Sequence, residues 1–384
     1  MKAADAIRVL IVDDSVVIRG ALGSIVDAEP DLRVVTTAPN GRVALDALRH
    51  APVDVVLLDI EMPEMDGLAA LPAILSQYPD TRVIMASSLT QRGAEVTMRA
   101  IALGASDYIS KPSARSGVQT LASIRLEITS KVRAIGRAAR GQRRTAAAGT
   151  TSTTGTTGTT GTTGTTGITG MPAAAPAPIR TELLASRTSD AAIKILAIAA
   201  STGGPNALAA VLSALPKDYA LPILITQHMP EVFTQLLAQR LERDAGRPCS
   251  EAKDGELIVA NHAYVAPGGS HMIVQTSEGR PYIRLTKSEP ENYCRPSADP
   301  MLRSIAAVYG ASTLAVVLTG MGEDGMRGCR EVHQRGGRIV AQDEATSVVW
   351  GMPGAVVQAG LASEIVPLEQ IAPTILSHCG ALVS

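Results

Sequence analysis

Residues 150–170 read T-T-S-T-T-G-T-T-G-T-T-G-T-T-G-T-T-G-I-T-G, and this tract constrains the fold more than any other feature. Glycine recurs every third residue at 155, 158, 161, 164, 167 and 170. That is the collagen spacing, but the repeat lacks proline and is too short to hold a triple helix. Threonine and glycine offer nothing to a hydrophobic core, so the tract reads as a flexible linker. The Pro/Ala stretch 171–178 after it reads as somewhat stiffer, and the basic stretch Arg137, Arg140, Arg143, Arg144 leads into it. The chain of 384 residues is thereby divided into two units, each long enough for its own core. The expected division is 1–135, a linker over 136–190, and 191–384.

Composition excludes several classes of function. Hydrophobic residues make up 46% of the chain and the formal net charge is -1, which argues against a nucleic-acid or anionic-membrane surface. One Trp and one Phe leave little for base stacking. Cys249, Cys294, Cys329 and Cys379 are far apart, with no Cys-x-x-Cys pair to suggest a zinc or redox site. Arg8–Val12 stops at Asp13-Asp14, too soon for a signal segment, and no run approaches the about 18 apolar residues of a membrane span. A cytosolic protein without membrane insertion is expected.

In the first half, Arg8–Val12, Leu32–Thr36, Val53–Leu58, Arg82–Ala86 and Asp107–Ser110 read as strands. Segments of helical period lie between them at Val17–Val26, Arg42–Leu48, Leu68–Leu75 and Glu95–Leu103, and a last helix is expected over 117–136. Nearly continuous apolar strands alternating with helices imply a doubly wound parallel sheet. In a sheet of order 2-1-3-4-5, strands one and three are neighbours at the topological switch point, where ligands bind. Asp13, Asp14 and Asp59 fall there, with Ser87 and Lys111 at later strand ends. Three converging carboxylates call for a counter-ion, and a hard divalent cation such as Mg²⁺ suits them. With a hydroxyl and a lysine they suit phosphoryl transfer to Asp59, although Asp13 and Asp14 read alone as helix caps. Lys111-Pro112 is a natural place for a cis peptide.

The stretches V-D-D-S, L-L-D-I-E-M-P-E-M-D-G and I-S-K-P closely resemble the receiver domain of two-component response regulators, over residues 7–125. The resemblance implies a flavodoxin-like (βα)5 fold and an Asp59 that accepts phosphate from a histidine kinase. It further implies Mg²⁺ held by Asp14 and Asp59 with the Glu61 carbonyl, and switching roles for Ser87 and Lys111.

In the second half, strands are expected at Lys194–Ala199, Pro222–Thr226, His262–Ala266, His271–Gln275, Tyr282–Leu285, Ala315–Leu318 and Arg338–Ala341. Helices are expected at Asn206–Ala214, Val232–Arg243, Ala298–Tyr309 and Gly325–Arg335. Gly268-Gly269 suggests an antiparallel insertion between short strands. A-S-T-G-G-P at 200–205 has neither the lysine of a Walker loop nor the G-x-G-x-x-G spacing, yet helix N-termini bind anions regardless. Ser201, His228 and Asp324 all follow apolar strands, so a parallel sheet would gather them on one edge. Ser, His and Asp there can act as nucleophile, base and imidazole-orienting group; taken singly, each also reads as a cap or a structural residue. No G-x-S-x-G elbow is present.

The motifs A-S-T-G-G, I-T-Q-H-M-P, H-A-Y-V-A-P-G-G-S-H-M, C-R-P-S-A-D, L-T-G-M-G-E-D-G and A-Q-D-E-A-T-S-V-V-W-G-M-P-G-A together resemble the chemotaxis protein-glutamate methylesterases, over residues 193–377. That family implies Ser201 as nucleophile, His228 as base, Asp324 as its partner, and Thr202 and Met321 at the oxyanion site. It needs no cofactor for ester hydrolysis. Its substrates are methyl-accepting chemoreceptors, which it also deamidates, and its phosphodonor is the chemotaxis histidine kinase. Ala200, Cys294 and Glu323 depart from the family pattern, which commonly has Gly, His and Asn there. His262 and His271 are expected near the rim, and Trp350-Gly-Met-Pro353 beside the pocket. The rival class is a response regulator whose second domain only binds a partner.

Overall fold

The computed structural model describes residues 5–88, 90–112, 121–149 and 191–379. The Thr-Gly tract and the Pro/Ala stretch lie outside the described residues. Among the described residues, no helix is long and apolar enough to cross a membrane.

The first unit runs β1 (Ile7–Val12), α1 (Val16–Asp27), β2 (Leu32–Ala38), α2 (Gly41–His50), β3 (Val55–Asp59), α3 (Gly67–Gln77), β4 (Arg82–Ser87), α4 (Gln91–Ala102), β5 (Asp107–Ser110) and α5 (Leu121–Gly149). Its five strands pair in parallel in the expected order β2-β1-β3-β4-β5. Every residue of β3 is buried, as an interior strand covered on both faces requires. The helices start on side-chain caps: Ser15, Asn40, Asp66 and Thr90 each accept a backbone N–H. The turn after β5 reaches its place without the expected cis peptide at Lys111-Pro112; among the described residues the cis bond is Arg295-Pro296.

α5 extends well past the 117–136 expected from periodicity, and residues 117–120 lie outside the described residues. The reason is electrostatic. Asp54 is fully buried at the start of β3, where Arg8, Arg140 and Arg143 all reach its carboxylate at 2.6–3.0 Å. Arg133 makes a second pair, with Asp31 at 2.7 Å. The basic stretch after 136 therefore continues as helix because its arginines meet acids at the foot of the sheet.

The second unit begins with β6 (Ile195–Ala200), α6 (Gly204–Ala214), β7 (Ile223–Gln227), α7 (Glu231–Ala245), β8 (Cys249–Glu251) and β9 (Ala263–Val265). It continues through β10 (His271–Ser277), β11 (Arg280–Thr286), α8 (Ala298–Tyr309), β12 (Thr313–Val317), α9 (Met326–Gln334), β13 (Arg338–Gln342), α10 (Met352–Gln358), β14 (Glu364–Val366) and α11 (Leu368–Cys379). A seven-stranded sheet has the order β14-β13-β12-β6-β7-β9-β8, and all its pairings are parallel. The chain leaves β6 in one direction toward β7 and returns on the other side as β12, so the switch point lies between β6 and β12.

β10 and β11 form the antiparallel insertion, but its hairpin does not turn at Gly268-Gly269. β9, the strand before those glycines, joins the parallel sheet. The turn is Glu278-Gly279, where both residues have positive φ (52° and 76°), the backbone that a two-residue hairpin loop demands. Gly268 serves close packing instead, since a Cβ there would collide with the backbone of Pro230 and Glu231.

The two units share a hydrophobic cluster. The Tyr108 ring from β5 stacks on Phe233 of α7, with centroids 4.4 Å apart. Asn206 Nδ2 on α6 donates to the carbonyl of Ile101 at the end of α4 (2.9 Å).

Burial alone would raise the Asp54 carboxyl, but Arg8 and Arg140 outweigh it and hold it at about 2. A depressed carboxyl stabilises the fold above its unfolded value of about 3.9, and the contribution is lost as pH falls toward the folded value. Asp54→Asn should therefore lower stability at pH 7 by about 2 kcal/mol, read by urea unfolding. It should also flatten the loss of stability between about pH 4 and 2. Equal stability in the two proteins at pH 7 would show that the arginine clamp contributes nothing.

Candidate functional site

Two clusters of chemically active side chains stand at strand ends, one in each unit. In the first, Asp13 and Asp14 follow β1 and Asp59 ends β3, and their carboxylate oxygens lie within 4.8 Å of one another. Lys111 Nζ reaches Asp59 Oδ1 at 2.6 Å and Asp13 Oδ2 at 2.8 Å. Burial raises the Asp59 carboxyl, and Lys111 only partly offsets it. Three carboxylates against one ammonium leave the cluster negative, and Asp13 and Asp59 are buried. That donor set fits a hard divalent cation. Asp14, Asp59, Glu61 and Lys111 line a pocket of about 460 Å³, although the Glu61 side chain itself turns toward Arg92. Ser87 is buried and does not line that pocket; it accepts a hydrogen bond from Thr97 Oγ1 of α4 (2.6 Å), the helix that packs on the second unit.

In the second unit, Ser201 follows β6, His228 follows β7 and Asp324 follows β12. The parallel order brings all three to one edge beside the switch point. Gly203, at φ 78°, takes the left-handed backbone that bends the chain from β6 into α6. Gln227 Nε2 donates to the Ser201 carbonyl at 2.9 Å. Thr319 Oγ1 donates to the Thr202 carbonyl at 2.9 Å and accepts from Val349 N at 3.0 Å, tying three loops together. Gly320 packs against Ser201, whose Cβ would lie 2.9 Å from a Cβ added there. The Gly320 carbonyl accepts from Gly351 and Met352, which fixes the turn carrying Met321. Met321, with Val348, packs on the hydrophobic cluster of the first unit that includes Val349.

Asp324 is 2% exposed and saturated with donors. His228 Nε2 lies 2.7 Å from Oδ2, and Ala298 N donates to the same oxygen at 2.6 Å. Oδ1 accepts from Ser297 Oγ (2.6 Å), Asn292 Nδ2 (2.7 Å) and Asp299 N (3.2 Å). The carboxylate thus caps α8, not the α9 that follows it in sequence. Burial acts to raise its pKa, but His228, Ser297 and the helix N-terminus hold it well below the ordinary range. His228 is affected in the opposite sense. Burial lowers it, yet Cys294 and Asp324 outweigh burial and push it up to about 10.

Among the described residues, no hydrogen bond joins the Ser201 hydroxyl to His228; the polar neighbour of His228 Nδ1 is Cys294 Sγ, at 3.5 Å. Sequence reasoning missed Asn292, Ser297 and Asp299 as supports of Asp324. Ser297 and Asp299 stood in the C-R-P-S-A-D motif. Asp299 accepts from Asn292 Nδ2 and Gly328 N, and burial and Asp324 raise its pKa. His262 and His271 do not join the cluster. His262 pairs with Ser250 (2.8 Å), and His271 is buried between Ser297 N and the Glu289 carbonyl. Trp350 Nε1 donates to the Gln342 carbonyl.

Comparison with known proteins gives two family matches. The response regulator receiver domain matches residues 9–123, and the CheB methylesterase matches residues 196–375. A protein-glutamate methylesterase/protein-glutamine glutaminase of group 2 operon from Rhodospirillum centenum is 47% identical, over 97% of this chain and 94% of its own. A protein-glutamate methylesterase/protein-glutamine glutaminase from Azospirillum brasilense is 45% identical, over 97% of this chain and 92% of its own. The crystal structure of the Thermotoga maritima CheB methylesterase catalytic domain is 39% identical, over 48% of this chain and 98% of its own, with a TM-score of 0.47.

The packing at Gly320 yields a test. Gly320→Ala forces a methyl group against Met352 Sδ and Ser201, so stability should fall by about 1–3 kcal/mol. Thermal unfolding measures this, with Gly23→Ala in α1 as the steric control because its backbone is helical and nothing lies within 4 Å of its added Cβ. Equal losses in both variants would mean that the approach to Ser201 is not tight.

Proposed function

The chain belongs to the family of protein-glutamate methylesterases/protein-glutamine glutaminases, and on that premise we propose that it is a receiver-controlled serine esterase of chemoreceptors. Its reaction hydrolyses glutamate 5-O-methyl esters on methyl-accepting chemoreceptors to glutamate and methanol. Receptor glutamines are deamidated by the same acyl chemistry, with ammonia as leaving group. The observation that carries this reading is the His228–Asp324 pair at 2.7 Å, set on the strand edge that also holds Ser201.

Ser201 Oγ attacks the ester carbonyl while His228 accepts its proton. Since Nε2 faces Asp324, Nδ1 is the nitrogen that serves Ser201. Asp324 fixes the ring and stabilises its charged form. Backbone N–H groups at Thr202 and Met321 face the developing oxyanion. The proton then passes from His228 to the departing methoxide, and water cleaves the acyl-enzyme. This chemistry calls on no cofactor.

The domain division follows the same reading: a receiver over 1–135, a linker over 136–190 and a catalytic unit over 191–384. Asp59 accepts a phosphoryl group from the chemotaxis histidine kinase. Asp13, Asp14, Asp59 and the Glu61 carbonyl would hold Mg²⁺, which supplies positive charge for the phosphoryl oxygens. Lys111 adds a fixed cation. Ser87 senses the phosphoryl group and, through Thr97 and α4, bears on the contact with α6 and α7. Without phosphate the receiver restrains the catalytic unit. The place of action is the cytoplasm.

Methanol release from methylated receptor membranes tests the chemistry. Ser201→Ala should lose at least about 10³-fold; wild type no faster than this variant would refute the esterase reading. Regulation is tested separately with a small acyl-phosphate donor and Mg²⁺. Turnover should rise several-fold in wild type and stay flat in Asp59→Asn. An equal rise in both proteins would remove Asp59 from control.

A further inference from the structure

An imidazole has two nitrogens, and here both are engaged before substrate arrives. Nε2 is bound to Asp324, and that carboxylate is itself held by Asn292, Ser297, Ala298 and Asp299, so the ring cannot turn over without losing a buried pair. Nδ1 faces the sulfur of Cys294 at 3.5 Å. The loop that delivers this sulfur is pinned along its length. Asn292 and Tyr293 take left-handed backbone, at φ 52° and 62°, and Cys294 N donates to the Glu291 carbonyl at 2.9 Å. Gly269 N donates to the Arg295 carbonyl at 3.0 Å. The cysteine therefore reaches His228 by construction, from a loop whose two ends both bind Asp324.

We infer that Cys294 is a positioning residue of this site: its sulfur caps Nδ1 of His228, the one ring nitrogen left to serve Ser201, and competes with Ser201 for it. The inference rests on the esterase reading above and deepens it. In the inferred pair the Cys294 thiol passes its proton to Nδ1, leaving a thiolate beside an imidazolium that Asp324 backs, and that charge keeps the proton on the ring. A ring in that state cannot accept the proton of Ser201. The elevated His228 pKa, to which Cys294 and Asp324 both contribute against burial, agrees with this. The other charged groups around the ring lie behind Asp324: Asp299 on α8, and the Arg303–Glu291 pair at 2.6 Å. From the end of β7 comes Gln227 and from the loop after β6 comes Ser201, neither of them charged. Cys294 is thus the group on the Nδ1 side whose removal alters the ring without touching Asp324.

The test uses the full chain. The His228 ring is titrated by NMR in wild type, Cys294→Ala and Cys294→Ser, its signal assigned with His228→Gln. Loss of the sulfur should lower the His228 midpoint by about one pH unit or more. The acid limb of kcat/KM for methanol release should move down by the same amount with KM unchanged. Methanol release at pH 7 should then rise by up to about tenfold. The serine variant keeps a small polar group that does not ionise and should show a shift of the same sign and similar size, which also serves if the alanine variant does not fold. An unmoved midpoint in a folded variant overturns the proposal. So does a uniform fall in activity with an unmoved acid limb, the result of mere structural support. Wild type and Ser201→Ala releasing methanol equally would sink the esterase reading, while the NMR midpoints would still decide the role of Cys294.

Discussion

The buried carboxylate of Asp324 organises the second unit. A charge removed from water is costly unless it is paired and hydrogen-bonded, and here it receives five donors from three places. They are the His228 ring, the start of α8, and the Asn292 loop. Satisfying one oxygen pair therefore fixes the His228 ring, a helix and a loop together. The neighbouring carboxylate of Asp299 is held by Asn292 and Gly328, so a second element, α9, is drawn to the same point. The position of His228 follows from the requirement to satisfy Asp324 as much as from the strand that carries the histidine.

Both units apply one rule of parallel sheets. β1 and β3 are neighbours at the acidic pocket, and β6 and β12 beside Ser201, and from each pair the chain leaves in opposite directions. Each division leaves a crevice at the carboxyl ends of the strands, and residues from different strands meet there. The chemistry at the two crevices differs with the side chains. Clustered carboxylates with one lysine favour a cation and a phosphoryl group, whereas a serine and a histidine backed by a saturated carboxylate favour acyl transfer. The units touch through Tyr108 on Phe233 and through Asn206 on Ile101. Asn206 stands only five residues beyond Ser201, and Ile101 one turn beyond Thr97, which binds Ser87. A short physical path thus joins the two crevices through α4 and α6.

Long, strongly patterned elements were legible in the sequence. The expected strands of the first unit match β1 to β5 within a few residues, and α8 matches Ala298–Tyr309 at both ends. Short elements were legible only in part: the three-residue β9 was expected as His262–Ala266. β8 and β14 also have three residues each, too few for a period to register, and neither was expected. Gly268-Gly269 looked like a hairpin turn because glycine pairs often are. Its Gly268 instead lets one backbone pass against another, and the turn formed at Glu278-Gly279, where no glycine pair advertised it. The length of α5 depended on acids more than 80 residues away in sequence, Asp31 and Asp54, which no local pattern contains.

By itself the sequence determined two doubly wound units, the strand ends at which reactive side chains would stand, and the identity of those side chains. Apolar periodicity and residue chemistry are local, and a parallel sheet converts strand ends into a shared edge without further information. Only the tertiary structure decided which groups touch. It made Asp324 the cap of α8, left Nδ1 of His228 facing Cys294 instead of Ser201, and placed Asn292, Ser297 and Asp299 around one carboxylate. These contacts span 25 to 96 residues of chain. They arise because buried polar atoms must find partners wherever packing brings them, and that condition is set by the whole fold.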